Sequence, residues 1–137
     1  MKILILGSMS FSPEMKEIGE QLISRGHEIR LPEFIEEYTR CSSRQEMHER
    51  AVSNKLAYNL YKVYHDLISE TDAVLIVNKD KKGIENYVGA NSLIEMAFAR
   101  ALGKRIYLLQ GIPKMDYTDE ITATNPITLN GNLGEIK

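Results

Sequence analysis

The chain alternates short, continuous runs of branched apolar residues with segments of helical period, and that alternation limits it to a small set of folds. Lys2-Ile3-Leu4-Ile5-Leu6 runs apolar without a break and stops at Gly7; Ala73 to Val77 and Arg105 to Leu109 repeat the pattern. A strand with apolar side chains on both of its faces belongs in a parallel sheet covered on both sides. From Pro13 the residues Met15, Ile18, Leu22 and Ile23 recur at three and four until Gly26, which predicts a helix over about 13 to 25. His27 to Leu31 alternates and stops at Pro32, as an edge strand does. The stretch from Glu33 to Ser43 reads as irregular and polar. Ser43-Arg44-Gln45-Glu46 then has capping-box spacing and opens a helical pattern to about Glu70, with Met47, Val52, Leu56, Leu60, Val63 and Leu67 on one stripe and Tyr58, Tyr61 and Tyr64 on another. A helix longer than the domain needs predicts a second buried face, hence a homodimer or a higher homo-oligomer. Ser92 to Leu102 reads as a helix closed by Gly103, and Pro126 to Leu129 as a weaker fifth strand. The order predicts a single α/β domain over residues 1–137: a three-layer, flavodoxin-like (Rossmann-like) parallel sheet in the order 2-1-3-4-5.

Composition narrows the function. Seventeen Lys and Arg against 19 Asp and Glu give a formal charge of −2, without the basic excess that a nucleic-acid partner requires. The apolar runs fall far short of the ~20 residues that span a bilayer, and Met1-Lys2 leads straight into a strand, so a cytoplasmic protein without a membrane partner is expected. The single cysteine, Cys41, and the three histidines have no metal-ligand spacing, and neither a metal nor a cofactor is expected.

In a 2-1-3-4-5 sheet a ligand sits beyond the carboxyl ends of the strands, where the order reverses between the first and third. Gly7-Ser8-Met9-Ser10-Phe11-Ser12 leaves the first strand there, with a helix N-terminus behind it, and suits a phosphate or a sugar. It lacks the glycines of a dinucleotide fingerprint and the lysine of a P-loop; Ser12 also reads simply as a helix cap before Pro13. Asn78-Lys79-Asp80-Lys81-Lys82-Gly83 reads as a solvated charged run. The connection from Asn78 to Ala90 is nevertheless 13 residues, long enough for a lid, and Tyr87 within it suits stacking on a planar base. Gly89-Ala90-Asn91-Ser92-Leu93-Ile94-Glu95 puts a carboxylate at the start of a helix beside the crevice. Two readings of Glu95 stand at this point: a nucleophile, or the fourth member of a Ser92-x-x-Glu95 capping box.

Gly7-Ser8-Met9, Asp72 to Val77, and Asn91-Ser92-Leu93-Ile94-Glu95-Met96-Ala97-Phe98-Ala99, followed by Gly103-Lys104, together resemble the nucleoside 2-deoxyribosyltransferase-like superfamily. That group includes deoxyribosyltransferases and 2′-deoxynucleoside 5′-monophosphate N-glycosidases. The resemblance implies a small-molecule nucleoside or nucleotide substrate. It makes Glu95 the nucleophile at the sugar C1′, with a covalent glycosyl-enzyme resolved by another base (a transferase) or by water (a hydrolase). The crevice position and the resemblance together put Gly7, Ser8, Met9, Asn78, Tyr87, Gly89, Asn91 and Ser92 around the substrate, and by the resemblance Asp66 is the nearest match to a second acid. Asp72 lies at the wrong end of its strand for that role, and Asp80 sits in the charged run. The chain departs from the family at Gly89, where a sugar-holding acid or hydroxyl is usual, and at Ser10, where the nucleotide hydrolases carry an arginine for the 5′-phosphate. The rival readings are a non-catalytic nucleotide-binding or signalling module of the same fold and, more distantly, an FMN carrier using Ser8, Ser10 and Ser12.

Overall fold

The computed structural model describes residues 1–32 and 35–137, with the side chains at positions 55, 57 and 58 outside that description. Five parallel strands, β1 (Lys2–Gly7), β2 (Glu28–Arg30), β3 (Ala73–Val77), β4 (Arg105–Leu108) and β5 (Ile127–Thr128), form one sheet in the order β2-β1-β3-β4-β5. The expected fold class and strand order are therefore observed. Register is set by Leu4 opposite Val74 and Gly7 opposite Val77, with β3 continuing onto β4 at Val74 opposite Ile106.

Alternation along these strands divides the core in two. Ile3, Ile5, Leu75, Val77 and Tyr107 face helix α1 (Ser12–Ser24), which packs Met15, Ile18 and Leu22 against them. Leu4, Leu6, Val74, Ile76, Ile106 and Leu108 face the other way. There they meet Leu60, Tyr64 and Ile68 of one helix, Met96 and Ala99 of another and Ile121 of a third. Side chains on opposite faces of one strand are what make a three-layer molecule, and β1 and β3 are buried at nearly every position because both faces are covered.

Several local expectations are corrected. The segment after β2 is not wholly irregular: Ile35–Thr39 forms a one-turn helix, α2, anchored by buried Ile35 and Tyr38, too short to show a period, while positions 33 and 34 lie outside the described residues. The single long helix is two, α3 (Arg44–Tyr58) and α4 (Leu60–Ser69), separated by Asn59 in the left-handed conformation (φ 46°, ψ 63°). Asn tolerates that conformation, which most side chains avoid, because its short polar group bonds locally. Ser43 does cap α3, accepting from the Glu46 N–H at 3.1 Å, whereas the Glu46 carboxylate reaches back one residue further, to the N–H and hydroxyl of Ser42. Those bonds hold the Glu46 carboxyl below its usual range. Val52 and Leu56 on α3 and Tyr61 on α4 remain exposed in the single chain; the side chain of Tyr58, part of the expected tyrosine stripe, lies outside the described residues. A short helix α6 (Thr118–Ala123), unforeseen in the sequence, precedes β5. Among the described residues no helix is long and apolar enough to cross a membrane.

Asn78, the residue after β3, is fully buried and works as a clamp. Its amide donates to the carbonyls of Asn86 (3.3 Å) and Gly111 (2.9 Å), and its Oδ1 accepts the Gln110 N–H at 2.8 Å. One side chain thus ties the end of β3, the following loop and the segment after β4.

Two expected outcomes follow from this packing. Replacing Asn59 by Val, which resists positive φ, should cost about 1–2 kcal/mol in urea unfolding while Asn59→Gly is tolerated. Asn78→Ala strands buried backbone groups and should cost roughly 2–3 kcal/mol, seen as a fall of several degrees in Tm.

Candidate functional site

The site begins where β1 ends. A Cβ at Gly7, which has φ +154°, would sit 2.8 Å from the Val77 carbonyl oxygen, so only glycine lets the chain turn over the end of β3 at this point. A single 3-10 turn, Met9–Phe11, follows. Ser8 caps that turn, its Oγ 3.4 Å from the Ser10 N–H and 2.8 Å from Ser10 Oγ. Ser12 is not the cap of α1: it lies inside the helix, buried, and donates its hydroxyl to the Met9 carbonyl.

Helix α5 (Ala90–Ala101) forms the next wall. Its N-cap is Gly89, in extended conformation and without a side-chain cap bond, so Ser92 is the third helical residue and not a cap. The Ser92-x-x-Glu95 capping box does not form. Glu95 instead sits in the second turn, half-buried, and Asn91, Ser92, Glu95 and Phe98 follow helical spacing on the face that lines the cleft. The early helix start has a cause in the preceding residue: Val88 is buried, and its carbonyl accepts the Tyr117 hydroxyl at 2.6 Å, which fixes the chain direction into Gly89.

The charged run after β3 is not a loose loop. Lys81 and Ile84 pair as an antiparallel bridge, with N–H to carbonyl distances of 3.0 and 2.9 Å, around Lys82 (φ 53°) and Gly83 (φ 72°). Positive φ at both central residues is the signature of a two-residue type I′ hairpin. Asp80 accepts the Asn86 N–H at 2.9 Å and Tyr87 N–H donates to the Lys79 carbonyl at 2.9 Å, closing the loop on itself. The hairpin aims Lys81 inward: its Nζ is 2.6 Å from Ser8 Oγ.

The roof comes from the helices before β3. Arg44, Met47, His48 and Ala51 form one stripe of α3, and Leu60, Tyr61 and Tyr64 one face of α4. With the β1 loop, the hairpin and α5 they enclose a cleft of about 450 Å³. A second, polar cavity of about 460 Å³ shares Ser10, Arg44 and Lys81 as its wall. Among the described residues no group of His, Cys, Asp and Glu is arranged to hold a metal ion.

Of the residues singled out from the sequence, Gly7, Ser8, Met9, Tyr87, Gly89, Asn91, Ser92 and Glu95 line this cleft. Two do not. Asn78 is used up by the clamp, because burial at the strand end forces its amide onto backbone partners. Asp66 is an exposed residue of α4 whose carboxylate meets Lys62 at 2.6 Å and His65 at 3.4 Å, bonds that hold its pKa down. The sequence reading missed Lys81, Arg44, His48, Tyr61 and Tyr64. The Lys82-Gly83 pair was the available signal for the hairpin; nothing local showed that α3 would lie over the cleft.

No protein-family model matches the chain, and no curated protein does. Among solved structures the chain is similar to the CMP N-glycosidase BcmB of Clostridium botulinum, at 18% identity and a TM-score of 0.51, with 93% of this chain and 87% of that one covered. Likeness at that identity establishes the shared fold, and the resemblance read from the sequence stands at that level.

Proposed function

We propose that this chain cleaves the N-glycosidic bond of a nucleoside or nucleotide through a covalent intermediate on Glu95. The observation that carries the reading is the position of Glu95: a half-buried carboxylate of α5, not engaged as a helix cap, on the wall of a cleft at the switch point of the sheet. The fold shared with a protein named as a CMP N-glycosidase agrees with it. Glu95 attacks C1′ of the sugar; the C1′–N bond breaks with its electron pair leaving on the base, which takes up a proton. Water or an acceptor base then attacks C1′ and frees the carboxylate, as in retaining glycoside hydrolysis. The proton-bearing side chains around the cleft include His48, Tyr61, Tyr64 and Tyr87. Tyr87 suits stacking on the base, and Asn91 and Ser92 shape the wall beside Glu95.

The rival reading, a non-catalytic nucleotide-binding module, draws on Gly89, which offers no group to hold the sugar, and on Asp66, which lies outside the cleft lining. Incubating the protein with nucleosides and nucleoside 5′-monophosphates and assaying free base decides between them. The expected result is base release by the parent and a fall on the order of 10³-fold or more for Glu95→Gln. Glu95→Gln keeps the size of the side chain and one hydrogen-bonding oxygen, so the Gln variant should melt within about 1 kcal/mol of the parent. Parental turnover by the Gln variant would overturn the Glu95 mechanism, and binding without base release from any substrate would establish the module.

A further inference from the structure

The cleft holds positive charge that attack by Glu95 does not use. Lys81 is half-buried, and its hydrogen bond is to the neutral hydroxyl of Ser8. Three other lysines lie against carboxylates: Lys79 at 3.5 Å from Glu14, Lys62 at 2.6 Å from Asp66, Lys16 at 3.0 Å from Glu36. The charges that act on Lys81 are of its own sign, although Glu14 and Asp80 line the adjoining polar cavity and Glu95 the cleft. Burial lowers its pKa first, then Lys82 and Arg44 lower it further, and no carboxylate is among the causes acting on it. Aromatic faces provide part of the compensation: the Lys81 ammonium is 5.8 Å from the Tyr87 ring centre and 6.0 Å from that of Phe11, and the Lys82 ammonium is 5.5 Å from Tyr87.

A half-buried ammonium, a guanidinium on the facing helix and two hydroxyls 2.8 Å apart, all meeting at the end of β1, make a donor set for a tetrahedral oxyanion. We propose that Lys81, with Arg44, Ser8 and Ser10, forms a phosphate subsite, so that the substrate of this cleft is a nucleoside 5′-phosphate and not the free nucleoside. This deepens the N-glycosidase reading and rests on it for the reaction, though not for the binding. The charge expected from the first loop, where this chain has Ser10, is supplied instead by the hairpin after β3 and by α3. On binding, the phosphate takes over the Lys81 ammonium from Ser8 Oγ, and both hydroxyls donate to its oxygens. With the 5′ end held there, the opposite side of the sugar ring, C1′ and its base, extends into the cleft that Glu95 and Tyr87 line.

The test separates binding from chemistry. Ribose 5-phosphate and ribose are titrated calorimetrically into the intact chain, where neither probe carries a bond to break. Ribose 5-phosphate should bind at least about ten-fold more tightly than ribose, and the difference should shrink as salt is raised. Lys81→Met, which keeps the aliphatic stem, should reduce that preference about ten-fold or more, and Arg44→Met, outside the hairpin, should reduce it in the same direction. Lys62→Met, on the exposed face of α4 and paired with Asp66, should keep it. With substrates, the preference for a nucleoside 5′-monophosphate over its nucleoside should fall in Lys81→Met through KM more than kcat. Equal binding of the two probes by the parent, or an undiminished preference in both the Lys81 and Arg44 variants, overturns the subsite. If the probes behave as expected while Glu95→Gln releases base like the parent, the Glu95 mechanism falls and the phosphate subsite stands.

Discussion

Strand β1 is hydrogen-bonded on one side to β2 and on the other to β3, and every functional element is placed by that pairing. Because the chain moves to one side of β1 for β2 and to the other for β3, the connections leave in opposite directions and open a crevice at the strand ends. The crevice is usable only if the backbone turns immediately after β1. The close approach of Gly7 to the Val77 carbonyl permits this, and it delivers Ser8 and Ser10 to the crevice mouth. A larger residue at position 7 would push the two strand ends apart and move the β1 loop away from α5.

The opposite side of the crevice depends on how β3 ends. A 13-residue connection rich in Lys has little apolar surface with which to order itself. Three devices order it: the amide of Asn78, which reaches two neighbouring segments; the type I′ hairpin at Lys82-Gly83; and the Tyr117 hydroxyl on the Val88 carbonyl. Each replaces water with a fixed partner for a backbone group near the buried strand end, and together they convert a charged run into a rigid arm. Lys81 is directed at Ser8 as a result, and Tyr87 is left facing both the cleft and the two ammonium groups.

The roof has a different origin. A straight helix from 44 to 69 would follow one direction; the left-handed residue at Asn59 lets α4 bury Leu60, Tyr64 and Ile68 against the sheet while α3 lies over the cleft with Arg44, Met47, His48 and Ala51 toward it. The low apolar content of the α3 face follows, since its inner side meets the cavity and not the core. Tyr38 and Asn54, bonded at 3.1 Å, fasten α3 to α2.

The strand runs, the helix before β2, the sheet order and most of the cleft wall were legible in the sequence because they rest on local pattern: an apolar run of five residues has one stable setting, between two helical layers, and the residues after it must emerge at the strand end. Ser43 was legible as a cap for the same reason. Glu95 was only half legible. The spacing of Ser92 and Glu95 fits a capping box, and the choice of Gly89 as N-cap was made by the burial of Val88 and its bond to Tyr117, 29 residues further on. Asp66 and Lys81 show the same limit in opposite directions. The family resemblance made Asp66 a candidate, yet it lies on the exposed face of α4 with its own i−4 lysine. Charge density made Lys81 read as solvated, yet a two-residue turn folds it against Ser8, 73 residues away. Periodicity and caps are set by neighbours within a few residues, whereas the direction of a charged side chain is set by what the distant chain leaves for it to meet, and that only the tertiary structure decides.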